Sequence, residues 1–109
     1  MHELALMESV VDAVVDQIGE ERVAVVRLEI GELAGVAIDA LKFSFDVCTQ
    51  GTVLAGAELA IVQVTGMARC RSCGREQATS SFATPCTCGS FDRELVRGGE
   101  LRLIDVEVY

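Results

Sequence analysis

The chain has 109 residues and a mass of 11.7 kDa, and half of its residues are apolar, so it is long enough for one domain with a real core. Its formal net charge of −8 and pI of about 4.5 argue against free nucleic acid and anionic membranes as partners, because both attract Lys and Arg. The acidity is uneven, since residues 1–68 hold 3 Lys/Arg and 11 Asp/Glu whereas residues 69–100 hold 5 and 4.

The first residues lack the features of a targeting segment. There is no basic n-region, and Glu3, Glu8 and Asp12 interrupt the apolar residues before a signal-peptide core or a membrane span can form. We therefore expect a cytoplasmic protein. Disulfides are rare in that compartment, so the five cysteines, four of them clustered, are expected to serve mainly as metal ligands.

Two helices and three strands are predicted along the chain. Apolar residues at 3-4-3-4 spacing predict a helix over about residues 3–18, which Gly19 would end. Alternation predicts strands over residues 23–30, 58–64 and 101–109. A second helix is expected from Asp39 to Gln50, with Asp39 as its N-cap and Gly51 as its C′ residue.

This order predicts an α+β (α/β) fold in which two helices cover a small three-stranded sheet. A strand-helix-strand unit implies a parallel crossover connection. Between Gly66 and Gly99 the apolar periodicity disappears, and Gly, Ser, Thr and Cys dominate. Such an insert needs a covalent or metal staple, because it has too little apolar surface to fold by burial alone.

The cysteines of the insert supply such a staple. Cys70-x-x-Cys73 is followed, after twelve residues, by Cys86-x-Cys88. Four thiolates from two short knuckles are typical of a closed, tetrahedral, structural Zn(II) site. The second pair has one intervening residue instead of two, which makes Cys86 the less firmly assigned ligand. A redox pair and an iron-sulfur cluster are the alternatives.

Neighbouring residues fit the zinc interpretation. Gly74 and Gly89 directly follow the knuckles, where positive φ is needed. Basic side chains are expected to offset the local charge of about −2 that four thiolates and one Zn(II) leave. These are Arg69, Arg71 and Arg75. Cys48 stands apart on the apolar face of the second helix, where a buried small side chain is favoured over a reactive thiol.

The first three residues form a second candidate metal site. The amine of Met1, the amide nitrogen of His2 and its imidazole can close a five-membered and a six-membered chelate ring on one ion, with Glu3 as a fourth donor. Planar nitrogen and oxygen ligation suits Ni(II) and Cu(II) better than Zn(II) or Mg(II). A lone histidine behind a start methionine is more often inert, so on residue type alone both interpretations remain open.

The chain as a whole resembles the HypA family of nickel metallochaperones, which mature [NiFe]-hydrogenases and, in some bacteria, urease. The resemblance runs through "MHELALMESVVDAV", "LEIGELAGV", "FSFDVCTQGTVLAGAEL" and the cysteine insert. It implies a nickel-binding α/β domain (residues 1–66 and 100–109) and an inserted zinc domain (residues 67–99). By position, the resemblance also implies one set of ligands for each metal. The implied nickel ligands are Met1, His2 and Glu3, and the implied zinc ligands are Cys70, Cys73, Cys86 and Cys88. The shortened second cysteine pair departs from the usual family spacing.

The resemblance also implies partners: a HypB-type maturation GTPase and the precursor of the hydrogenase large subunit. It implies no catalytic residue, and the sequence has neither a Gly-rich phosphate loop nor a Cys-His or Ser-His-Asp constellation. We therefore predict a carrier and not an enzyme. The main alternative is a zinc-ribbon adaptor that binds a protein or nucleic acid and has an inert N-terminus. A homodimer through the second helix or a strand edge also stays open.

Overall fold

A computed structural model of the chain describes residues 2–109, with His2 described by its backbone alone. The predicted nickel ligand Met1 and the imidazole of His2 lie outside the described residues. The elements follow in the order α1 (His2–Ile18), β1 (Val23–Gly31), α2 (Ile38–Cys48), β2 (Glu58–Val64), β3 (Met67–Cys70), β4 (Glu76–Ala78), β5 (Arg93–Arg97) and β6 (Leu101–Val108). The predicted α+β fold is confirmed. Neither helix in this part of the chain is long and apolar enough to cross a membrane.

The first sheet has three strands in the order β2-β1-β6. The N–H of Glu32 donates to the carbonyl of Val64 (2.9 Å), which joins the C-terminal ends of β1 and β2 and makes the pair parallel. The N–H of Tyr109, after β6, donates to the carbonyl of Arg22, before β1, so these two strands are antiparallel. The parallel crossover through α2 is therefore confirmed.

The helices and the sheet bury the residues that the periodicity selects. α1 and α2 pack against each other. Along β1 the burial alternates, so Val26 and Leu28 are fully buried while Arg27 between them pairs with Asp105 and Glu107 on the exposed face. Each buried aliphatic side chain stabilises the fold by about 1.5–3 kcal/mol relative to exposure. The helical residues of this core are Met7, Val10, Val11, Val14, Leu41 and Phe45.

The start of α2 differs from the prediction. Its N-cap is Ala37, which has no capping side chain, and Asp39 lies inside the first turn, so the predicted Asp39 cap is wrong. A carboxylate at that position still stabilises the helix, because it faces the positive end of the helix dipole. The N–H of Ala37 instead donates to the Glu3 carboxylate of α1 (3.4 Å).

The end of α2 is also earlier than predicted. The helix stops at Cys48, and Thr49 is its C-cap, with its hydroxyl donating to the carbonyl of Phe45 (2.8 Å). A hydroxyl that bonds back to the preceding turn competes with helix propagation. Gly51 has a φ of +75° but lies two residues beyond Thr49, so the prediction of Gly51 as the C′ residue is wrong.

The cysteine insert forms a sheet of its own, which the sequence did not predict. Strand order is β4-β3-β5, and both pairs are antiparallel. These strands have only three to five residues, too few for a period-2 pattern to stand out. Ala68 and Cys70 of the central strand are buried.

The chain divides into two compact units. One comprises residues 2–28, 36–61 and 103–109, and the other comprises residues 29–35 and 62–102. Within the second unit the backbones of Gly31 and Gly98 come so close that a side chain on Gly31 would collide with the Gly98 carbonyl. The finer division into a nickel domain and a zinc domain (residues 67–99) stays a prediction.

Candidate metal centre

Two tight turns present the four clustered cysteines. Cys70 ends β3, and the turn after it closes when the N–H of Gly74 donates to the Cys70 carbonyl (2.8 Å). The N–H of Gly89 donates in the same way to the Cys86 carbonyl (2.8 Å). Gly74 and Gly89 have φ values of +77° and +93°, so the prediction of positive φ at both positions is confirmed. Any other residue would be strained there.

The sulfur atoms meet in one cluster. The Sγ atoms of Cys70 and Cys88 lie 3.6 Å apart, as do those of Cys73 and Cys86, and all four lie within 4.8 Å of one another. Zn–S bonds of about 2.3 Å place the corners of a tetrahedron about 3.8 Å apart. The cluster therefore fits a structural zinc site. The shortened C-x-C pair brings Cys86 as close as the other cysteines.

Backbone amides favour the charged form of two of these thiols. The N–H of Cys73 is the largest cause that lowers the pKa of Cys70, to about 6, and the N–H of Ser72 adds to it while burial opposes both. The N–H of Cys88 likewise lowers the pKa of Cys86. The knuckle backbone thus stabilises thiolates, which is the form that binds zinc.

Cys88 shows the limit of that stabilisation. The Ser90 N–H acts to lower its pKa, but contact with the sulfurs of Cys70 and Cys86 outweighs that effect and raises the pKa to about 11. Thiolates so close together repel one another, so they do not all ionise unless a cation offsets their charge. The donor set is therefore matched to a bound divalent cation such as Zn(II). When bound, that ion supplies folding free energy and no reaction chemistry.

The nearby arginines do not offset the thiolates directly, in contrast to the prediction. Arg69 pairs with Glu76 (2.7 Å) and Arg71 pairs with Asp92 (2.8 Å) on the surface, while Arg75 donates to a threonine hydroxyl. Nearby carboxylates therefore hold the guanidinium groups of Arg69 and Arg71 through charge-assisted hydrogen bonds. The charge of the cluster is left to the amide dipoles and the metal.

Arg93 is a buried charged residue close to the cysteine cluster, and the sequence did not reveal its position. Its side chain is 9% exposed and donates from one guanidinium nitrogen to Thr79, to the Ser81 carbonyl (2.9 Å) and to the Thr84 carbonyl. Its guanidinium also lies 5.9 Å from the ring centroid of Phe82. Arg93 thereby fixes the segment that leads into Cys86. No short motif marks such a role, because it depends on contacts between residues nine to fourteen positions apart.

Of the predicted nickel residues, His2 and Glu3 lie at the start of α1, and Met1 is outside the described residues. Glu3 is in the first turn, and its carboxylate accepts the hydrogen bond from Ala37 at the N-terminus of α2. The helix begins at His2, of which the backbone is described. Its amide is one that an α-helix does not use for its own hydrogen bonds, because the first four N–H groups have no acceptor within the helix.

The fifth cysteine is separate from the cluster. Cys48 ends α2 and is partly buried, close to the buried position predicted for it. Burial raises its pKa, and the carboxylates of Glu8 and Asp12 raise it further. Its thiol is therefore neutral at pH 7 and a poor nucleophile.

Known proteins resemble this chain along its whole length. The sequence model described as "Hydrogenase/urease nickel incorporation, metallochaperone, hypA" matches residues 1–108. The chain belongs to the HypA family. The hydrogenase maturation factor HypA of Trichormus variabilis is 44% identical over 108 residues, covering 99% of this chain and 96% of the relative. That of Geobacter metallireducens is 43% identical over 109 residues, covering 99% of both.

The fold also matches a solved HypA. The solution structure of the Ni metallochaperone HypA from Helicobacter pylori aligns with a TM-score of 0.63, covering 97% of this chain and 96% of that one, at 18% identity. HypA proteins are nickel metallochaperones of hydrogenase maturation and not enzymes, so the predicted carrier function is confirmed at the level of the family. The match disfavours the zinc-ribbon adaptor, and it also disfavours a redox role for the cysteine pairs.

Proposed function

We propose that this chain binds one Ni(II) ion at its N-terminus and delivers it during [NiFe]-hydrogenase maturation, or urease maturation where that enzyme is present. The observation that carries the proposal is the family match over residues 1–108, which takes in the "MHE" start. Nickel is the cargo, and the zinc cluster is a structural part of the carrier.

The proposed nickel ligands are Met1, His2 and Glu3. The amine of Met1 with the amide and imidazole nitrogens of His2 makes a planar set that suits Ni(II), and Glu3 adds a fourth donor. Cu(II) binds such nitrogen sites more tightly than Ni(II), so selectivity depends on metal availability and partner contacts. Nickel affinity falls at acidic pH, because an imidazolium has no lone pair to donate.

The proposed zinc ligands are Cys70, Cys73, Cys86 and Cys88. The support is the mutual distance of their sulfurs, all within 4.8 Å, and the amide groups directed at them. Four thiolates fill the tetrahedron and leave no open position for a substrate. The zinc ion therefore fixes the shape of residues 67–99, which form the proposed zinc domain.

The proposed partners are a HypB-type GTPase and the precursor of the hydrogenase large subunit, both in the cytoplasm. The support is that the relatives are named hydrogenase maturation factors. A carrier has to exchange its cargo through protein contacts, because released Ni(II) would be lost to competing ligands.

The experiment that tests the proposal compares Ni(II) binding to the native chain and to His2→Ala by calorimetry. His2 is the only histidine of the chain, so its loss removes the only imidazole donor. We expect a single equivalent of nickel on the native chain and at least about a tenfold weaker affinity in the variant. Zinc content serves as the control and should not change. Equal nickel affinity in both proteins would contradict the proposal.

A further inference from the structure

A groove runs between α1 and α2 in the first compact unit. It encloses about 320 Å³ and begins one residue after the proposed nickel ligand Glu3. The residues that line it are Leu4, Glu8, Val11, Asp12, Val47 and Cys48. Neither the zinc cluster nor the proposed nickel ligands account for it.

The α2 side of the groove is apolar and open to solvent. Val47 lines the groove and is 45% exposed, and Phe43, one helical turn earlier on the same face, is 70% exposed. Val11 is buried on the α1 side. Phe43 does not line the groove, but with Val47 it extends the apolar side of the groove along α2. Contiguous exposed apolar surface is typical of interaction sites.

The α1 side of the groove is acidic. Glu8 and Asp12 lie one turn apart, and within the described chain neither forms an ion pair. Like charges at this spacing repel each other, and α1 carries no Lys or Arg to relieve the repulsion. Both carboxylates line the groove together with Cys48, and they raise the pKa of its thiol.

We propose that this groove is the docking site for an amphipathic helical segment of the protein that exchanges nickel with this chain. Apolar side chains of that segment pack against Phe43 and Val47, and its Lys or Arg side chains pair with Glu8 and Asp12. The segment recognises an apolar strip beside an acidic row, as helix-in-groove complexes do. Only one part of the proposal rests on the proposed function, namely that the partner is a nickel-handling protein.

The negative charge of the groove favours a basic amphipathic segment over other occupants. Anionic lipid and nucleic acid are repelled by Glu8 and Asp12. A second copy of the chain, docked by the same face, would bring two acidic rows toward each other. A basic amphipathic segment alone satisfies both the apolar strip and the carboxylates, and it would lie next to the N-terminal end of α1.

The test is a selection on the zinc-loaded full chain with a phage library of helical peptides randomised along one face. We expect the enriched peptides to combine apolar residues at i, i+3, i+4 and i+7 with flanking Lys or Arg. Amide shifts in NMR spectra should map the selected peptide to Glu8, Asp12, Phe43 and Val47. Enrichment of acidic peptides, shifts confined to other surfaces, or no enrichment would overturn the proposal.

Two charge-matched variants locate the contact. The groove variant is Glu8→Lys with Asp12→Lys, and the control is Glu20→Lys with Glu21→Lys, which changes the net charge equally at exposed residues outside the groove. The selected peptide should bind the groove variant at least about tenfold more weakly and the control nearly as well as the native chain. If both variants bind the peptide equally weakly, net charge alone explains the loss of affinity, and the proposal is overturned.

A third variant, Phe43→Ser, separates docking from self-association. Phe43 is 70% exposed, so its replacement should leave the fold intact and weaken the peptide. If sedimentation shows instead that the native chain dimerises and that Phe43→Ser is monomeric, the occupant is a second copy and the proposal is wrong. Nickel titration of the same variants should be unchanged. If the native chain does not bind nickel at its N-terminus, the proposed function is contradicted, whereas the proposal that the groove is a docking site is not affected.

Discussion

At the residue scale, Arg93 holds the segment that precedes Cys86, so we predict that it stabilises the proposed zinc site without touching it. Replacing Arg93 with Ala should speed zinc release, because the Ser81 and Thr84 carbonyls lose their hydrogen bonds to the guanidinium group. The Ser81 carbonyl keeps the hydroxyls of Thr79 and Thr84 as donors, so the expected loss is about 1.5–3 kcal/mol for a hydrogen bond from a charged group. Release to a colorimetric chelator measures the effect. Arg93→Lys is the matched control, and it should recover only part of the loss, since an ammonium group lacks the planar guanidinium fork. Unchanged release in Arg93→Ala would contradict this role.

Cys48 gives a second prediction at this scale, on pH. Its pKa is raised above the ordinary value of 9.0, so the folded state disfavours the thiolate. Iodoacetamide should therefore modify Cys48 of the zinc-loaded protein slowly at pH 8, and the rate should still be increasing with pH above pH 9, because the raised pKa delays full ionisation of the thiol. By linkage, this group lowers the stability of the fold only as the pH rises above 9. Mass spectrometry of the modified peptide measures the rate of Cys48 alkylation. Rapid modification at pH 7 would contradict the prediction, because it would show that Cys48 is a thiolate.

At the element scale, periodicity predicted the long elements and failed at short ones. The stripe from Leu4 to Ile18 and the alternation from Val26 to Ile30 each pack one face against a core, so their patterns carry the information. The ends of α2 depend on Thr49 and on a hydrogen bond from Ala37 to Glu3, which joins residues 34 positions apart. Such contacts leave no local pattern.

The sequence likewise predicted some features of the candidate metal centre and missed others. Cysteine spacing predicted the zinc cluster, because ligands of one ion must lie on two tight turns, and the positive φ at Gly74 and Gly89 followed from it. The sheet β4-β3-β5, the buried Arg93 and the pairing of Arg69 with Glu76 did not follow. These depend on the register of three short strands, which no residue type specifies.

The zinc-bearing elements give the third prediction. Cys73→Ser removes one thiolate, so zinc should bind far more weakly and the sheet β4-β3-β5 should lose its ordered NMR signals. Signals of α1 and α2 should remain, because the core of the first unit contains none of the four clustered cysteines. Nickel binding should be largely retained in this variant. Its loss would mean that the two metal sites are coupled.

At the scale of the whole molecule, the two proposed metal sites use two different kinds of donors. Four thiolates in a closed cluster suit an ion that stays, whereas an N-terminal set of nitrogen and oxygen donors at one helix end suits an ion that is passed on. The negative charge is concentrated in residues 1–68, and it attracts cations and basic partner surfaces to the region that begins with the proposed nickel residues.

The most direct measurement of the central claim is a Ni(II) titration, by visible absorption and calorimetry, of the native chain beside a version with one glycine added before Met1. The addition keeps every side chain and moves the amine out of chelate register with His2. We predict that the native chain binds a single equivalent of Ni(II), that nickel affinity collapses in the extended chain, and that zinc content is equal in both. Equal nickel binding by the two proteins would contradict it and place nickel elsewhere.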